Sequence, residues 1–383
     1  MRTKMEGFAK RYITEMLGTA DIRINGSRAW DIQVGDQRFY TRVLLNASLG
    51  LGESYMDGWW ECEALDQFFY KLLRRRLDRT VLPKIKAFSH SLKATVLNRQ
   101  NRRKAHEVGE KHYDAGNDLF ELMLDSQMTY SCGYWKDVDD VDQAQKAKLD
   151  LICRKLKLEP GMRLLDIGCG WGGLARYAAA HYDVTTIGLT VSKEQAELAQ
   201  QRCRGLPVEI RLEDYRDIDG TYDAIVSVGM FEHVGYKNYK KFMEVARRSL
   251  KKDGLLLLHT IASNRTVRHC DPWFDKYIFP NGMLPSIKQI GEALEDTFVM
   301  EDWQNMGAYY DKTLMAWYGN FQRNRDRLKK KYNERFQRMW QYYLLSVAGA
   351  FRARTMQVWQ LVLSPEGVVG GYPGIRCARC VDQ

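Results

Sequence analysis

Three polar side chains lie where a parallel sheet would carry its chemistry. Glu232 and His233 follow an apolar stretch that ends at Val228, and His259 ends the next such stretch. Ligands of parallel α/β sheets bind at the carboxyl ends of the strands, so we expect these side chains at the active edge. A glutamate and a histidine there form either an acid/base pair or a satisfied hydrogen-bonded pair, and we favour the first. No third ligand with suitable spacing supports a metal site.

A glycine-rich turn precedes these residues in the chain. Gly168, Gly170 and Gly173 follow the apolar stretch 163–167 and have the G-x-G-x-x-G spacing. Glycines at such positions let a ligand lie against the backbone at a helix N-terminus. Asp166 stands just before the turn, where its carboxylate would face an ammonium group of the ligand. The pattern indicates a nucleotide-type cofactor site.

The residues after the turn distinguish between cofactors. A nicotinamide dinucleotide site requires an acidic residue about twenty positions further on, to hold a ribose hydroxyl. The next predicted strand ends instead in Thr190-Val191-Ser192, and the nearest acid, Glu194, falls inside the following helix. The D-x-G-x-G arrangement resembles motif I of class I S-adenosylmethionine-dependent methyltransferases. We therefore place a methyltransferase ahead of a nicotinamide oxidoreductase, with an ordinary glycine-rich turn as the remaining alternative.

The elements that position these residues alternate in the way typical of a parallel sheet covered on both faces. Strands are predicted over 163–167, 184–189, 208–212, 224–228, 254–259, 298–303 and 356–363. Helices are predicted over 141–156, 172–180, 192–203, 237–250 and 313–350, with a capping box at Ser192 and Gln195. The predicted fold class is α/β, a Rossmann-like class I methyltransferase fold with a mostly parallel seven-stranded sheet.

The first 80 residues predict a small accessory domain of mixed α+β structure. A helix is expected over 8–17, a strand over 29–34 and a second strand-like run over 39–45. Further on, the stretch 112–135 is rich in aromatic and small polar residues and is expected to form a lid over the cofactor.

A basic segment follows the accessory domain. The chain has a net charge of +10, and the stretch from Lys71 to Lys104 holds twelve basic residues against one acid, Asp78. Apolar residues recur there at mostly three- and four-residue spacing, which predicts a basic amphipathic helix. Such a helix binds an anionic membrane or packs internally as a linker, and the membrane is the favoured interpretation. Nucleic acid is the least favoured partner, because no nucleic-acid motif accompanies the segment.

Composition excludes some classes of protein. No stretch approaches the roughly 18 apolar residues that a membrane span requires, and the charged N-terminus is unlike a signal peptide, so we expect a cytoplasmic protein. The eight cysteines have no framework spacing, which predicts reduced thiols. Cys377-x-x-Cys380 lacks a second pair, so it is either an isolated zinc or redox motif or part of a frayed tail.

Several distinctive stretches occur in a fixed order along the chain. They are 53–60 (ESYMDGWW), 130–132 (YSC), the glycine turn, 231–235 (FEHVG), 258–261 (LHTI), 277–282 (YIFPNG) and 313–318 (TLMAWY). Together they resemble the bacterial cyclopropane-fatty-acyl-phospholipid synthase family, over about residues 20 to 363, and are related to the mycolic-acid cyclopropane synthases. The resemblance covers the accessory domain as well as the predicted catalytic domain.

The resemblance implies transfer of a methyl group from S-adenosylmethionine to the cis double bond of an acyl chain in membrane phospholipid. Loss of a proton from the added methyl group then closes a cyclopropane ring, and a bound bicarbonate ion takes that proton. The implied ligands of this ion are Glu232, His259, Tyr310 and the backbone at Cys132 and Ile261. The implied cofactor-binding residues are Tyr130, Ser131, Asp166, Gly168, Gly170, Thr190, Gln195, Asp214 and Tyr215.

The resemblance also implies a domain organisation and partners. Residues 1–80 form an accessory, lipid-binding domain, 81–108 the basic linker helix, and 109–383 the catalytic domain with an inserted acyl-binding segment at about 262–293. Members of the family tend to be homodimers, and this chain would attach reversibly to the phospholipid bilayer at the inner face of the membrane. The alternatives are a lipid methyltransferase that leaves a methyl or methylene branch, an amine methyltransferase on a related scaffold and a non-catalytic lipid-binding protein.

Overall fold

A computed structural model describes residues 2–79 and 116–376. These residues divide into two compact units. The first comprises 2–79, His269–Pro280 and Tyr310–Met356, and the second comprises 116–268, Asn281–Tyr309 and 357–376. All of the predicted basic linker helix over 81–108, and both Cys377 and Cys380, lie outside the described residues.

The helices are named in chain order. They are α1 (Arg2–Thr19), α2 (Arg38–Met56), α3 (Leu65–Arg74), α4 (Asn117–Met123), α5 (Val141–Lys155), α6 (Gly173–Tyr182), α7 (Lys193–Arg202), α8 (Tyr239–Ser249), α9 (Pro272–Tyr277), α10 (Ile287–Leu294), α11 (Gly307–Arg323), α12 (Arg325–Leu328) and α13 (Glu334–Arg352). The strands are β1 (Gln33–Val34), β2 (Trp60–Glu61), β3 (Arg163–Ile167), β4 (Thr185–Thr190), β5 (Val208–Leu212), β6 (Tyr222–Val228), β7 (Leu250–Ser263), β8 (Val299–Asn305) and β9 (Met356–Ser364).

The second unit is built around a seven-stranded sheet with the order β5-β4-β3-β6-β7-β9-β8. The pairs β3–β4, β3–β6, β4–β5 and β6–β7 are parallel, and β8–β9 is antiparallel. The strand order reverses beside β3, since β4 pairs with one edge of this strand and β6 with the other. Ligands of open α/β sheets bind at such a reversal, outside the carboxyl ends of the strands.

Alternate residues of the central strands are buried on opposite faces of this sheet. Leu165 and Ile225 belong to one apolar cluster, which helices α8 and α10 complete. Leu164 and Ala224 belong to a second cluster, which α5 and α6 complete. Because both faces are covered, the strands are apolar throughout, as the sequence pattern predicted.

An aromatic core holds the first unit together. Trp273 of α9 packs on Tyr342 of α13 at a ring-centroid distance of 4.5 Å, and Tyr55 lies 5.6 Å from Tyr342. Glu53 of α2 accepts hydrogen bonds from Lys276 Nζ at 2.6 Å and from the Tyr277 hydroxyl at 2.8 Å. The sequence placed 269–280 and 310–356 in the catalytic domain. The structure differs, because these segments bury their aromatic side chains against α2 and α3.

Two strands predicted in the accessory region differ from the observed structure. The run over 39–45 is part of α2, where Phe39, Tyr40 and Val43 are buried at the spacing of a helix face. Tertiary packing here overrides the strand preference of aromatic and β-branched residues. The strand predicted over 29–34 is reduced to β1, which pairs antiparallel with β2.

Gly349 marks the close approach of α13 to α3 and supports a stability prediction. A Cβ atom there would lie 2.6 Å from the Asp66 carbonyl oxygen and 2.7 Å from Phe69 Cβ. We expect Gly349→Ala to destabilise the protein by about 1–3 kcal/mol through overpacking, measured by chemical denaturation. Gly291 in α10 is the control, because a Cβ there meets nothing within 4 Å. Gly291→Ala should stabilise by up to about 1 kcal/mol, and equal effects of the two substitutions would contradict the prediction.

Candidate active site

The glycine turn after β3 forms an open cradle. Gly168 and Gly170 have φ values of +86° and +55°, a region that favours glycine. The amide of Gly168 donates to the Leu189 carbonyl oxygen at 2.9 Å, which fixes the turn against β4. A Cβ at Gly168 would lie 2.7 Å from Met230 Cβ, whereas one at Gly170 meets nothing within 4 Å. The turn therefore leaves space for a ligand beside its backbone.

Asp166 is a buried carboxyl group next to this cradle. It lies near the end of β3 with 2% of its surface exposed. Burial raises its pKa to about 7, and the positive charge of Lys148 opposes that rise. A buried carboxyl with a raised pKa is stabilised by an additional cation, which the ammonium group of S-adenosylmethionine supplies. The turn and Asp166 therefore fit the predicted cofactor.

Thr190 and Gln195 meet at the end of β4. The Thr190 hydroxyl donates to Gln195 Oε1 at 2.9 Å, and both side chains are buried. The Ser192 hydroxyl accepts from the Gln195 amide, so Ser192 caps helix α7. Only half of the predicted capping box forms, because the Gln195 side chain turns to Thr190 instead.

Asp214 and Tyr215 follow the neighbouring strand β5. Asp214 accepts from the Arg216 backbone at 2.9 Å and forms an ion pair with the Arg216 side chain at 2.8 Å. The Tyr215 ring packs on Phe242 at a centroid distance of 5.4 Å. The Glu213 amide donates to the Thr190 carbonyl oxygen, which brings the ends of β4 and β5 together.

The segment 129–132 is held from two sides in the second unit. On one side, Asp125 accepts from the Thr129 amide at 2.9 Å and from its hydroxyl at 2.5 Å. On the other side, Gln145 Nε2 of α5 donates to the Ser131 carbonyl oxygen at 2.8 Å, and Lys148 Nζ donates to the Ser131 hydroxyl at 2.8 Å. The Tyr130 ring packs on Phe120. Tyr130 and Ser131 are thus presented by a braced segment.

Glu232 lies in a short turn after β6 and contacts β7 directly. Its Oε1 accepts the Ile261 amide at 2.6 Å, and its Oε2 is buried with no hydrogen-bond partner among the described residues. Burial raises the pKa of Glu232 to about 7. The carboxyl group therefore changes its charge near neutral pH and has one oxygen available to a ligand.

His259 is a neutral imidazole at the buried part of β7. The Gln360 amide nitrogen lies 3.2 Å from His259 Nδ1, within hydrogen-bond distance of the ring. Burial lowers the pKa of His259 well below its ordinary value, and the charge of Lys148 adds to this effect. Burial also lowers the pKa of His233, to about 4.

The other two proposed ion ligands lie in different units. Cys132 belongs to the second unit and is fully buried beside Met306. Tyr310 belongs to the first unit, where its ring packs on Trp317 and Phe351. Within the second unit the structure brings Glu232 to the Ile261 backbone.

Sequence reasoning missed three buried polar residues of this region, Gln145, Lys148 and Gln360. The sequence pattern could have identified Lys148, because Ala144, Lys148 and Ile152 are spaced four residues apart and lie on the face that α5 buries. A lysine on a buried face is rarely left without a role. Among residues 2–79 and 116–376, no group of three or more His, Cys, Asp or Glu side chains is placed to hold a metal ion.

Comparisons with known proteins identify the family. Residues 100–361 match the family model described as mycolic acid cyclopropane synthetase. The chain is 55% identical over 369 residues to a cyclopropane-fatty-acyl-phospholipid synthase of Escherichia coli strain K12, with 96% of each protein covered. The chain belongs to the mycolic acid cyclopropane synthetase family.

Other similar proteins lie in the same group. A tuberculostearic acid methyltransferase of Mycobacterium tuberculosis strain H37Rv is 33% identical, with 85% of this chain and 81% of that protein covered. The crystal structure of mycolic acid cyclopropane synthase CmaA1 complexed with SAH and CTAB is 35% identical. It has a TM-score of 0.63, with 67% of this chain and 97% of that chain covered. Membership of the cyclopropane synthetase family confirms the resemblance, the fold class and the prediction of an S-adenosylmethionine-dependent methyltransferase.

Proposed function

We propose that this protein adds a methylene group to the cis double bond of unsaturated acyl chains in membrane phospholipids, forming cyclopropane fatty acids. The observation that carries the proposal is the 55% identity to the Escherichia coli synthase across 96% of the chain, accessory region included. S-adenosylmethionine supplies the methyl group in this reaction.

The residues of the site suit such chemistry. An isolated alkene is a poor nucleophile, and the cation formed by methyl addition reacts with any water present. Glu232, His259 and Cys132 have at most 6% of their surfaces exposed, so the site presents few routes for water. Asp166 binds the cofactor's ammonium group, and the braced segment with Tyr130 and Ser131 orients its amino-acid end.

We also propose that Glu232 helps to hold a bicarbonate ion. Support comes from its buried Oε2, which has no partner among the described residues and is suited to accept the hydroxyl proton of this ion. A ring N–H of His259 is a second donor to an anion, and the Cys132 backbone completes the proposed set within the second unit. The Ile261 amide acts through Glu232 in this arrangement, since it already donates to that carboxylate. Bound bicarbonate would accept the proton released on ring closure.

The test is incubation with S-adenosylmethionine and vesicles of cis-monounsaturated phospholipid. Mass spectrometry and proton NMR then follow the acyl chains. One added carbon, loss of the alkene and upfield ring protons are the expected result. No modified acyl chain, despite cofactor binding, would overturn the proposal.

A branching methyltransferase is the second candidate. The similarity to a tuberculostearic acid methyltransferase favours it as the alternative. The same NMR experiment distinguishes the two, because a methylene branch adds one carbon and retains an alkene.

We further propose a cytoplasmic homodimer that attaches reversibly to the inner face of the membrane. The basic run from Lys71 to Lys104 supports the attachment, and 81–108 is proposed as the attaching segment. The proposed lipid-binding regions are the accessory domain over 1–80 and the segment at about 262–293. Among the helices that the structure describes, none is long and apolar enough to cross a bilayer.

Charge reversal in the basic run tests the attachment. Changing Lys84, Lys86 and Lys93 to Glu removes three cations, which is worth roughly 3 kcal/mol, or about a hundredfold in vesicle binding at low salt. Sedimentation with anionic vesicles measures this loss, which should shrink as salt screens the charges. The control changes the exposed Lys193, Lys241 and Lys252 to Glu, for the same total charge. Equal binding by both triple variants would contradict the proposed attachment.

A further inference from the structure

Lys148 is an unusual feature of helix α5. Its side chain is fully buried, with 1% of the residue surface exposed. Its ammonium group donates a hydrogen bond to the Ser131 hydroxyl oxygen at 2.8 Å. Asp125 and Asp166 act on the ammonium group only through space, without a hydrogen bond. Burying an ammonium group without a hydrogen-bonded carboxylate costs folding free energy. Packing alone does not account for a lysine at this position, so we looked for a role in ligand binding.

The chemistry of the two groups fixes the direction of their hydrogen bond. Burial lowers the pKa of Lys148 to about 8, so the side chain is an ammonium group at neutral pH. An ammonium group has three donors and no acceptor, so at neutral pH Lys148 donates and the Ser131 oxygen accepts. The hydroxyl hydrogen of Ser131 must therefore point away from Lys148. Ser131 consequently offers a donor to whatever binds beside it, and a group that accepts hydrogen bonds is its natural partner.

The amino-acid end of S-adenosylmethionine carries one donor group and one acceptor group. Its ammonium matches the Asp166 carboxylate, and its carboxylate matches a hydroxyl donor next to a positive charge. We propose that Lys148 is a positioning residue that makes Ser131 a donor to the cofactor's carboxylate. This inference rests on the proposed function, in which S-adenosylmethionine is the methyl donor.

The bracing of the segment strengthens the assignment. Gln145, one turn before Lys148 on the same helix face, holds the Ser131 carbonyl oxygen at 2.8 Å. The Ser131 backbone and hydroxyl are thus both fixed by α5. The positive charge of Lys148 also favours an anionic ligand group at this position.

Ligand binding by the whole protein tests the proposal. Calorimetry compares S-adenosylhomocysteine with S-adenosyl-3-thiopropylamine, which lacks the carboxylate. The unaltered protein should bind S-adenosylhomocysteine at least about tenfold more tightly. Lys148→Met should remove most of this preference, because it should weaken the binding of S-adenosylhomocysteine far more than the binding of the decarboxylated ligand.

Lys155 provides a matched control on the same helix. It is also fully buried, but its Nζ lies 3.4 Å from Asp302, on the far end of α5 from Ser131. Lys155→Met loses a buried charge in the same way and should retain the preference between the two ligands. Melting temperatures report the loss of stability in both variants.

Two results would overturn the proposal: equal weakening of both ligands by Lys148→Met, or an unchanged affinity for S-adenosylhomocysteine. If Lys148→Met does not fold, Ser131→Ala repeats the test, because it removes only the hydroxyl and should abolish the same preference. The readout needs no lipid. A protein that shows the preference but forms no cyclopropane would retain this inference and lose the proposed function.

Discussion

Glu232→Gln is expected to bind S-adenosylhomocysteine normally and to lose about a hundredfold or more of its turnover. Glutamine preserves the volume and can still accept the Ile261 amide, so the fold around β7 should be retained. It removes the negative charge at the buried Oε2, where we propose the ion is held. The rate of cyclopropane formation on vesicles measures the loss, and Glu244→Gln, at an exposed position of α8, is the control. Near-normal turnover would remove Glu232 from the mechanism.

The same substitution has an opposite effect on stability. Burial raises the pKa of Glu232 from 4.5 to about 7 in the folded protein. The folded state therefore holds the proton more tightly, and stability present below pH 4.5 is lost as the pH rises through 7. A pKa shift of this size changes the free energy of unfolding by roughly 3 kcal/mol between low and high pH. We expect Glu232→Gln to melt at a higher temperature than the unaltered protein at pH 8. At pH 4 the two should differ little, and a lower melting temperature at pH 8 would contradict this account.

Asp166→Asn is expected to weaken S-adenosylhomocysteine binding by about thirtyfold or more, because an ammonium group loses its buried partner. The amide is isosteric, so the glycine turn should keep its shape. Calorimetry measures the affinity. Asp183→Asn, after helix α6, serves as a control at a distance from the turn. Unchanged affinity would exclude Asp166 from the cofactor site.

The raised pKa of Asp166 also leads us to expect that the affinity for S-adenosylhomocysteine depends on pH. Its pKa of about 7 means that the free protein holds a proton there below neutral pH. Binding an ammonium group favours the carboxylate and releases that proton, so affinity should fall about tenfold for each pH unit below 7. Asp166→Asn should remove this dependence, whereas Glu232→Gln should leave it in place. The two variants therefore separate the two carboxyl groups.

The central strands β3, β4 and β6 could be predicted closely from the sequence because they are buried on both faces. The predicted strands over 163–167 and 208–212 have the observed bounds. Continuous apolar stretches bounded by glycine and polar residues leave little choice of structure. Strand β7 was underestimated, since Leu250–Ser263 extends beyond its apolar centre at both ends.

The accessory region and the network behind the site were less predictable. The run over 39–45 has strand-like residues, and only its contacts within the first unit make it helical. The pairings of Lys148 with Ser131 and of Gln360 with His259 join residues 17 and 101 positions apart. Local patterns carry no information about such partners. The glycine turn, by contrast, was visible because its chemistry is contained in a few consecutive residues.

The composition of the first unit has a consequence for synthesis on the ribosome. Helices α2 and α3 emerge early, yet α13, against which they bury aromatic side chains, is completed only about 280 residues later. At a translation rate of about 5–20 residues per second, roughly 15–60 s pass between the synthesis of the early helices and the completion of α13. During that interval their apolar faces are available to chaperones. Folding of this unit is therefore expected to be complete only after α13 has been made, long after the synthesis of α2 and α3.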